Sequence, residues 1–210
     1  MNNLPLKHIY IPSKVPSKKL MVILHGRGDS SQGFTWLPPY LNLDDMNYVL
    51  LDGPYDYFGG CSWYDLPPNQ LHGIAQSSSL LAETLDILFE DTYDVEESFL
   101  FGFSQGSLLT FEFGARYYKR FAAYIAVSGY IYDTQNLLEE MNPEVKKSLW
   151  LCTHGTEDDV LPFETSSKQV AVLQDAGFDV EFKAYDKVHT IVEDELKMIK
   201  EHIVKVNNKR

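Results

Sequence analysis

Strand-length runs of apolar residues, separated by stretches with helical spacing, constrain the fold of this chain more than any other feature. The continuous apolar runs are residues 20–24, 48–51, 99–103, 122–127, 149–152 and 180–184, and an alternating run lies at 7–11. The stretches with helical spacing are 74–89, 105–118, 163–175 and 191–206. Continuous runs suit strands that are buried on both faces, and strands alternating with helices predict an α/β fold with a mostly parallel sheet.

The bulk composition limits the class of protein. The 210 residues fit one domain, 1–210, and 44% of them are hydrophobic, which is enough for a substantial core. The 18 basic and 30 acidic residues leave a net charge of −12, so we expect no nucleic-acid partner. The two cysteines form no disulfide framework, and neither a signal peptide nor a membrane span is visible. We therefore expect a cytoplasmic protein without integral membrane association.

A serine lies between a predicted strand and a predicted helix, in the segment Gly-Phe-Ser-Gln-Gly at 102–106. This order is typical of a nucleophile elbow, in which a sharp turn exposes the serine oxygen above the sheet. The flanking glycines remove side chains that would clash where the strand and the helix approach each other. We therefore predict that Ser104 is the nucleophile of a serine hydrolase, and a purely structural turn is the alternative.

The acid and the base that such a serine requires should follow it in the chain, with the acid before the histidine. Of the six histidines, those that follow Ser104 are His154, His189 and His202. His189 lies in a loop after a predicted strand, where parallel sheets collect functional groups, so we predict that it is the base. We expect His154 to pack locally and His202 to be solvated within the last helix.

The acid is expected in the loop after the strand at 149–152. This loop has three adjacent carboxylates, Glu157, Asp158 and Asp159. Spacing alone does not separate Asp158 from Asp159. The carboxylates that do not serve as the acid are expected to be solvated or to cap the next helix.

The loop after the first buried strand reads His-Gly-Arg-Gly-Asp at 25–29. Its glycines let the backbone approach a substrate closely, so we predict that the N–H groups of Arg27 and Gln105 are the oxyanion donors. The Arg27 side chain either meets an acidic group of the substrate or forms a salt bridge with Asp29 or another carboxylate. The salt bridge is the favoured interpretation. His25 is expected to have a structural role below this loop.

The segment 53–73 combines glycine and proline with many aromatic residues, which is typical of a long loop. Such aromatic residues either pack on their own domain or line a binding site. The segment 128–147 has only about 20 residues, which is too short for a cap domain, so we expect an open site. The predicted substrate contacts are Tyr55, Phe58, Trp63, Leu66 and Tyr130.

These motifs together resemble the phospholipase/carboxylesterase family, which contains small carboxylesterases, lysophospholipases and acyl-protein thioesterases. The matching segments are 24–29 (Leu-His-Gly-Arg-Gly-Asp), 62–65 (Ser-Trp-Tyr-Asp), 102–106, 154–158 (His-Gly-Thr-Glu-Asp) and His189. They follow the family's order over nearly the whole chain. This sequence departs from the family at Arg27, where leucine is frequent, and at Val188, where glycine often precedes the histidine.

The resemblance implies an α/β-hydrolase fold whose mostly parallel central sheet has about seven strands flanked by helices. It implies that Asp158 is the acid, and that no metal or organic cofactor is needed. It also implies cleavage of a small acyl ester or thioester through an acyl-enzyme. An acyl-protein thioesterase or a lysophospholipase is the alternative within this chemistry, and a non-catalytic binding protein is the alternative outside it. A monomer or a homodimer is compatible with the sequence.

Overall fold

Within residues 4–208, which the structure describes, this computed structural model has a seven-stranded sheet and a separate two-stranded hairpin. In chain order the strands are β1 (His8–Ile11), β2 (Leu20–Leu24), β3 (Asn47–Leu51), β4 (Tyr55–Tyr57), β5 (Gly60–Ser62), β6 (Phe99–Phe103), β7 (Ala123–Val127), β8 (Leu149–Gly155) and β9 (Asp179–Tyr185). The helices are α1 (Leu37–Leu41), α2 (Gln70–Asp91), α3 (Gln105–Arg116), α4 (Thr134–Glu140), α5 (Phe163–Asp175) and α6 (Glu193–Asn208). The predicted α/β fold is confirmed.

The large sheet has the strand order β1-β3-β2-β6-β7-β8-β9. All neighbouring strands in it are parallel, except that the edge strand β1 runs antiparallel to β3. Parallel strands end at the same edge of a sheet, which is where α/β proteins form their sites. The loops that follow β2, β6, β8 and β9 therefore meet at one edge, and these loops carry the site residues predicted from the sequence.

Successive residues of the central strands point to opposite faces of the sheet and enter two hydrophobic clusters. In β2, Val22 and Leu24 belong to the cluster that includes buried residues of α2, α3 and α5. Met21 and Ile23 of the same strand belong to the cluster that includes residues of α1 and α6. Burial on both faces explains why these strands appear in the sequence as continuous apolar runs.

The segment 53–73 is more ordered than a loop. It contains the hairpin β4–β5, and its turn residues Phe58 and Gly59 both have positive φ, 45° and 88°. Two-residue turns of this kind match the twist of the strands that they join. The segment ends in the first residues of α2, which begins at Gln70 rather than near 74. Its aromatic residues are thus placed by a hairpin and a helix start.

The prediction that His202 is solvated is wrong, because its side chain is 3% exposed. His202 lies on the stripe of α6 that also buries Leu196, Ile199, Ile203 and Val206 against the sheet. These positions recur at helical spacing. The sequence therefore contained the signal that places His202 on the buried side.

Candidate active site

Ser104 occupies the sharp turn between β6 and α3, with φ 55° and ψ −113°. A positive φ is strained for a residue with a side chain, and such strain concentrates at functional sites. The turn depends on glycine, because a Cβ atom on Gly106 would lie 2.2 Å from the carbonyl oxygen of Leu24. The elbow predicted from the sequence is therefore present as a local geometry.

His189 connects Ser104 to Asp158 through two hydrogen bonds. Its Nε2 lies 2.9 Å from Ser104 Oγ, and its Nδ1 lies 2.7 Å from Asp158 Oδ2. Since a carboxylate accepts a hydrogen bond, Nδ1 carries the proton and Nε2 can accept from the serine hydroxyl. The structure thus brings together the three side chains that the sequence selected as nucleophile, base and acid.

The Asp158 carboxylate is held by its own loop. Its Oδ1 accepts hydrogen bonds from the N–H groups of Val160 at 3.0 Å and Leu161 at 2.8 Å, which leaves Oδ2 for His189. Burial raises the pKa of this carboxyl, but the Leu161 N–H and the His189 ring outweigh it and lower the pKa overall. Asp158 is therefore ionised at neutral pH.

The neighbouring carboxylates have different surroundings. Glu157 and Asp159 are exposed, whereas Asp158 is 7% exposed. His154, four residues before Asp158, is buried, and its Nε2 donates to the Leu161 carbonyl oxygen at 2.8 Å. His154 thus packs locally, and only Asp158 of the three carboxylates reaches His189.

The loop that contains Arg27 is fixed by the β4–β5 hairpin. The N–H of Gly28 donates to the Cys61 carbonyl oxygen at 2.8 Å, and the N–H of Cys61 donates to the Asp29 carbonyl oxygen at 2.7 Å. A Cβ atom on Gly26 would come within 3.3 Å of Ser104 Cβ, so this loop passes directly beside the serine. Within residues 4–208, no backbone or side-chain acceptor is bonded to the Arg27 N–H, which leaves that donor available.

Gln105 ties helix α3 to the segment 62–65. Its side-chain Oε1 accepts from the N–H of Trp63 at 2.9 Å, and its Nε2 donates to the Tyr64 carbonyl oxygen at 2.7 Å. Its own N–H is the first of α3 and so has no acceptor one turn earlier in that helix. The side chain of Gln105 therefore positions the segment, while its N–H is free to face a substrate.

A surface cavity of about 380 Å³ opens beside Ser104. Its lining residues are Arg27, Tyr64, Leu66, Pro67, Gln70, Ser104, Gln105, Tyr130, Val160 and Leu161. Ligand cavities of this size and mixed character are typical of small-molecule sites. The lining combines apolar side chains from the loops after β5 and β8 with the polar residues Arg27, Gln70 and Tyr130.

Two of the five predicted substrate contacts line this cavity, Leu66 and Tyr130. The position of Trp63 contradicts its predicted role, because its side chain is fully buried and its Nε1 donates to the His25 carbonyl oxygen at 2.9 Å. Tyr55 instead donates to Gln76 Oε1 at 2.7 Å, and Phe58 is 94% exposed at the hairpin turn. Neither of these two residues lines the cavity.

Sequence reasoning missed several cavity residues, of which Tyr64, Gln70 and Val160 are examples. Tyr64 directly follows Trp63 in a bend after β5, and both side chains are buried in the same hydrophobic cluster, so no periodicity in the sequence could have separated the cavity residue from its neighbour. Gln70 lies at the start of α2, which the helical periodicity did not include. Val160 follows the acid in the same loop, and its 60% exposure is typical of a residue at the mouth of a site.

The expected salt bridge of Arg27 is also wrong for the part of the chain that the structure describes. No carboxylate there lies within ion-pair distance of its guanidinium, which instead stacks 4.1 Å from the centre of the Tyr57 ring. The hairpin, which the sequence did not predict, brings Tyr57 to this position. Stacking on an aromatic ring is a frequent arrangement of arginine.

A buried ion pair holds the loop that carries His189. Nζ of Lys187 lies 2.7 Å from Glu195 Oε1, and both side chains are at most 1% exposed. The same ammonium donates to Ser128 Oγ at 3.0 Å and to the Thr190 carbonyl oxygen at 2.6 Å. The pair thus connects the His189 loop to the start of α6 and to the end of β7.

Replacing Lys187 by methionine is expected to destabilise the protein by about 3–5 kcal/mol, because the Glu195 carboxylate would stay buried without its partner. Urea unfolding at constant pH measures this loss. The matched control is Lys197→Met. Lys197 pairs with Glu193 and Asp194 at the exposed surface, so its loss should leave the unfolding free energy close to that of the wild type. Equal costs for the two variants would contradict the prediction.

His25 supports the Arg27 loop from below, in agreement with the structural role expected for it. Its Nδ1 donates to the Gly26 carbonyl oxygen at 2.6 Å, and its Nε2 accepts from the N–H of Gly53 at 2.9 Å. Asp52 and Cys61 lie near it, with all three ligand atoms within 4.8 Å of one another. Because both ring nitrogens already bond to the backbone, His25 has no free lone pair for a metal ion at this position.

Acidification is expected to destabilise the protein through His25. Burial is the largest influence and lowers the pKa of His25 below its ordinary value of 6.5, although the Gly26 carbonyl raises it. Below pH 6.5 the unfolded chain therefore binds more protons at His25 than the folded chain does. The free energy of unfolding falls as the pH decreases from 6.5 to the folded pKa, by up to about 1.4 kcal/mol per pH unit.

Urea unfolding between about pH 7.5 and about pH 5.5 measures this dependence as the slope of the unfolding free energy. His25→Asn should reduce the slope, whereas His72→Gln, at an exposed position, should not. A slope that is the same in wild type and His25→Asn would contradict the prediction.

Comparison with known proteins identifies the family. A model of the phospholipase/carboxylesterase family matches residues 7–207. The chain belongs to this family. The phospholipase/carboxylesterase family assignment agrees with the resemblance found in the sequence, and the chain is accordingly a hydrolase.

Relatives in the phospholipase/carboxylesterase family align over most of the chain. Carboxylesterase SOBER1 of Arabidopsis thaliana is 31% identical over 205 residues, which cover 89% of this chain and 90% of the relative. Acyl-protein thioesterase 1 of Debaryomyces hansenii is 27% identical over 208 residues, which cover 86% of this chain and 88% of the relative. The crystal structure of esterase PE8 matches with a TM-score of 0.87 at 26% identity, and the match covers 96% of this chain and 99% of the esterase. These likenesses confirm the α/β-hydrolase fold. Among residues 4–208, no helix has the length and apolar character needed to cross a bilayer.

Proposed function

We propose that this chain is a serine carboxylic-ester hydrolase that cleaves small acyl esters through an acyl-enzyme. The observation that carries the proposal is the pair of hydrogen bonds from His189, 2.9 Å to Ser104 and 2.7 Å to Asp158. Together they provide a nucleophile, a base that can take its proton, and an anion that orients the base.

In this mechanism Ser104 Oγ attacks the carbonyl carbon of the ester while His189 Nε2 takes the hydroxyl proton. Asp158 stabilises the resulting imidazolium through the Nδ1–H bond and keeps the ring in its working tautomer. The proton then passes from His189 to the leaving oxygen, and the acyl group stays on Ser104. Water then attacks the acyl carbonyl while His189 Nε2 takes a proton from it. His189 returns this proton to Ser104 Oγ, and the carboxylic acid is released.

The N–H groups of Arg27 and Gln105 are the proposed oxyanion donors. Support comes from the loop of Arg27, which passes beside Ser104, and from the position of Gln105 as the first residue of α3. A donor at such a position contributes about 3–4 kcal/mol to the transition state in serine hydrolases. The helix dipole of α3 adds to this because its positive end faces the developing charge.

Labelling with a fluorophosphonate tests the proposal, because such probes phosphonylate an activated serine. Peptide mapping by mass spectrometry should find one phosphonate per chain, on the peptide that contains Ser104. With p-nitrophenyl esters of increasing acyl length, a burst of nitrophenolate should precede the steady state if the acyl-enzyme accumulates. Labelling at another residue, or none, would count against Ser104 as nucleophile.

Thioester cleavage is the second candidate, favoured by the name of the Debaryomyces hansenii relative, an acyl-protein thioesterase. The same residues would attack either carbonyl, because the two substrates differ only in the leaving atom. Comparing kcat/KM for a p-nitrophenyl ester and for an S-acyl peptide with the same acyl group separates the two. A higher value for the S-acyl peptide would make the thioester the preferred class.

A further inference from the structure

We infer that the Arg27 guanidinium binds a carboxylate of the substrate, so that this site selects esters that carry a negative charge near the reacting carbonyl. This inference rests on the proposed function and narrows its substrate class. Arg27 and Ser104 line the same cavity of about 380 Å³. The backbone that precedes the Arg27 side chain passes beside Ser104, since a Cβ atom on Gly26 would come 3.3 Å from Ser104 Cβ.

The guanidinium of this cavity residue is positioned by Tyr57 of the hairpin. Its carbon lies 4.1 Å from the centre of the Tyr57 ring, which covers one face of the cation. The positive charge also acts on the Tyr64 hydroxyl. Burial raises the pKa of Tyr64 well above its usual range, whereas the charge of Arg27 acts to lower it. Stacking occupies a face of the planar guanidinium and leaves its two Nη groups, which are not among the buried unbonded atoms, for a carboxylate.

The charge of Arg27 has no counter-ion in the part of the chain that the structure describes. Arg116 pairs there with Glu112 at 2.7 Å, and Arg120 lies 3.5 Å from Glu96, whereas no carboxylate is within 4.0 Å of Arg27. Its Nε is shielded from solvent and has no acceptor among residues 4–208. Among the three arginines that the structure describes, Arg27 is the one with no carboxylate within 4.0 Å.

The other residues that line the cavity are uncharged at neutral pH, so Arg27 sets its electrostatic character. A cation that is partly removed from water is costly unless an anion or strong acceptors meet it. A substrate carboxylate would satisfy the guanidinium with two parallel hydrogen bonds. The apolar side chains of Leu66, Val160 and Leu161 can cover the hydrocarbon part of the same substrate.

Matched acidic and neutral esters test this inference in two arms. In the acyl arm, mono-p-nitrophenyl adipate is compared with its methyl ester, which is neutral. In the leaving-group arm, p-acetoxybenzoate is compared with its methyl ester. The measured quantity is the ratio of kcat/KM for the acidic ester to that for the neutral ester, within each variant. A loss common to both esters cancels in this ratio.

Arg27→Leu is expected to lower the ratio about 10- to 100-fold in at least one arm, because it removes the charged hydrogen bonds between the guanidinium and the substrate carboxylate. The arm that responds identifies whether the carboxylate belongs to the acyl or to the leaving part. Arg27→Gln serves as a second uncharged variant, and Arg27→Lys should retain part of the ratio. The control is Arg120→Leu, which removes the same charge beyond the opposite end of β7 and should leave the ratio unchanged.

A ratio that stays within about twofold of wild type in both arms, for Arg27→Leu and Arg27→Gln, overturns this inference. The proposed function would stand in that case, because the wild type still cleaves the neutral esters. Failure of the wild type to cleave any of the four esters would instead overturn the proposed function and the inference together.

Discussion

Replacement of Ser104 by alanine is expected to lower kcat for ester hydrolysis by at least about 10⁴-fold, as for removal of a serine nucleophile in other hydrolases. The substitution removes the oxygen on which the acyl group is proposed to form, while His189 and Asp158 keep their own hydrogen bond at 2.7 Å. The backbone strain at φ 55° is the same for alanine as for serine, so the fold should persist. Steady-state kinetics with p-nitrophenyl esters and circular dichroism measure the two effects.

Ser107→Ala is the matched control for this variant. Ser107 lies in the first turn of α3, three residues after Ser104. It is fully buried, and its hydroxyl has no hydrogen-bond partner among residues 4–208. Its activity should stay close to that of the wild type. If Ser104→Ala keeps more than about one hundredth of the wild-type kcat in a folded protein, Ser104 is not the nucleophile.

Replacement of Asp158 by asparagine is expected to lower kcat by about 10³- to 10⁴-fold through the wrong histidine tautomer. The N–H groups of Val160 and Leu161 both donate to Oδ1, at 3.0 and 2.8 Å, so the amide oxygen of an asparagine should take that position. The amide NH₂ then faces His189 Nδ1, which can only accept from it. The proton would move to Nε2, and the ring could no longer take the proton of Ser104.

Asp159→Asn is the matched control, because Asp159 is the adjacent carboxylate and its side chain is exposed. The two variants lose the same formal charge from the same loop, so a general electrostatic effect would appear in both. Only Asp158→Asn should lose activity, and its kcat should recover little at higher pH. Comparable losses in the two variants would contradict the assignment of Asp158 as the acid.

Much of the fold was predictable because burial on both faces leaves a strong pattern in a parallel sheet. The run 99–103 and the glycines around Ser104 predicted the strand, the turn and the helix that follow one another at the elbow. The limits were local. The hairpin β4–β5 was not predicted, because its three-residue strands are too short to produce an alternating pattern.

The residues around the site were less predictable than the three side chains joined through His189. The sequence predicted Trp63 as a substrate contact, because aromatic residues in a loop can line a binding site. In the structure, its hydrogen bonds to Gln105 and His25 hold it in the interior. The ion pair of Lys187 and Glu195 was not predicted either. Two charges eight residues apart in the sequence are ordinarily solvated, and only the packing of α6 on the sheet encloses them.

The motifs of the sequence carried the resemblance to the family. The sequence by itself also determined how the strands of the large sheet alternate with helices, and the choice of Ser104 and His189 as candidates. These follow from periodicity, glycine positions and chain order, which are properties of neighbouring residues. Spacing left Asp158 and Asp159 open, the family resemblance implied Asp158, and the tertiary structure places its carboxylate against His189. Only the tertiary structure decided that Arg27 stacks on Tyr57 with no carboxylate partner among residues 4–208. The direction of a side chain and the charge of its surroundings depend on segments that are distant in sequence, and these meet only when the sheet has formed.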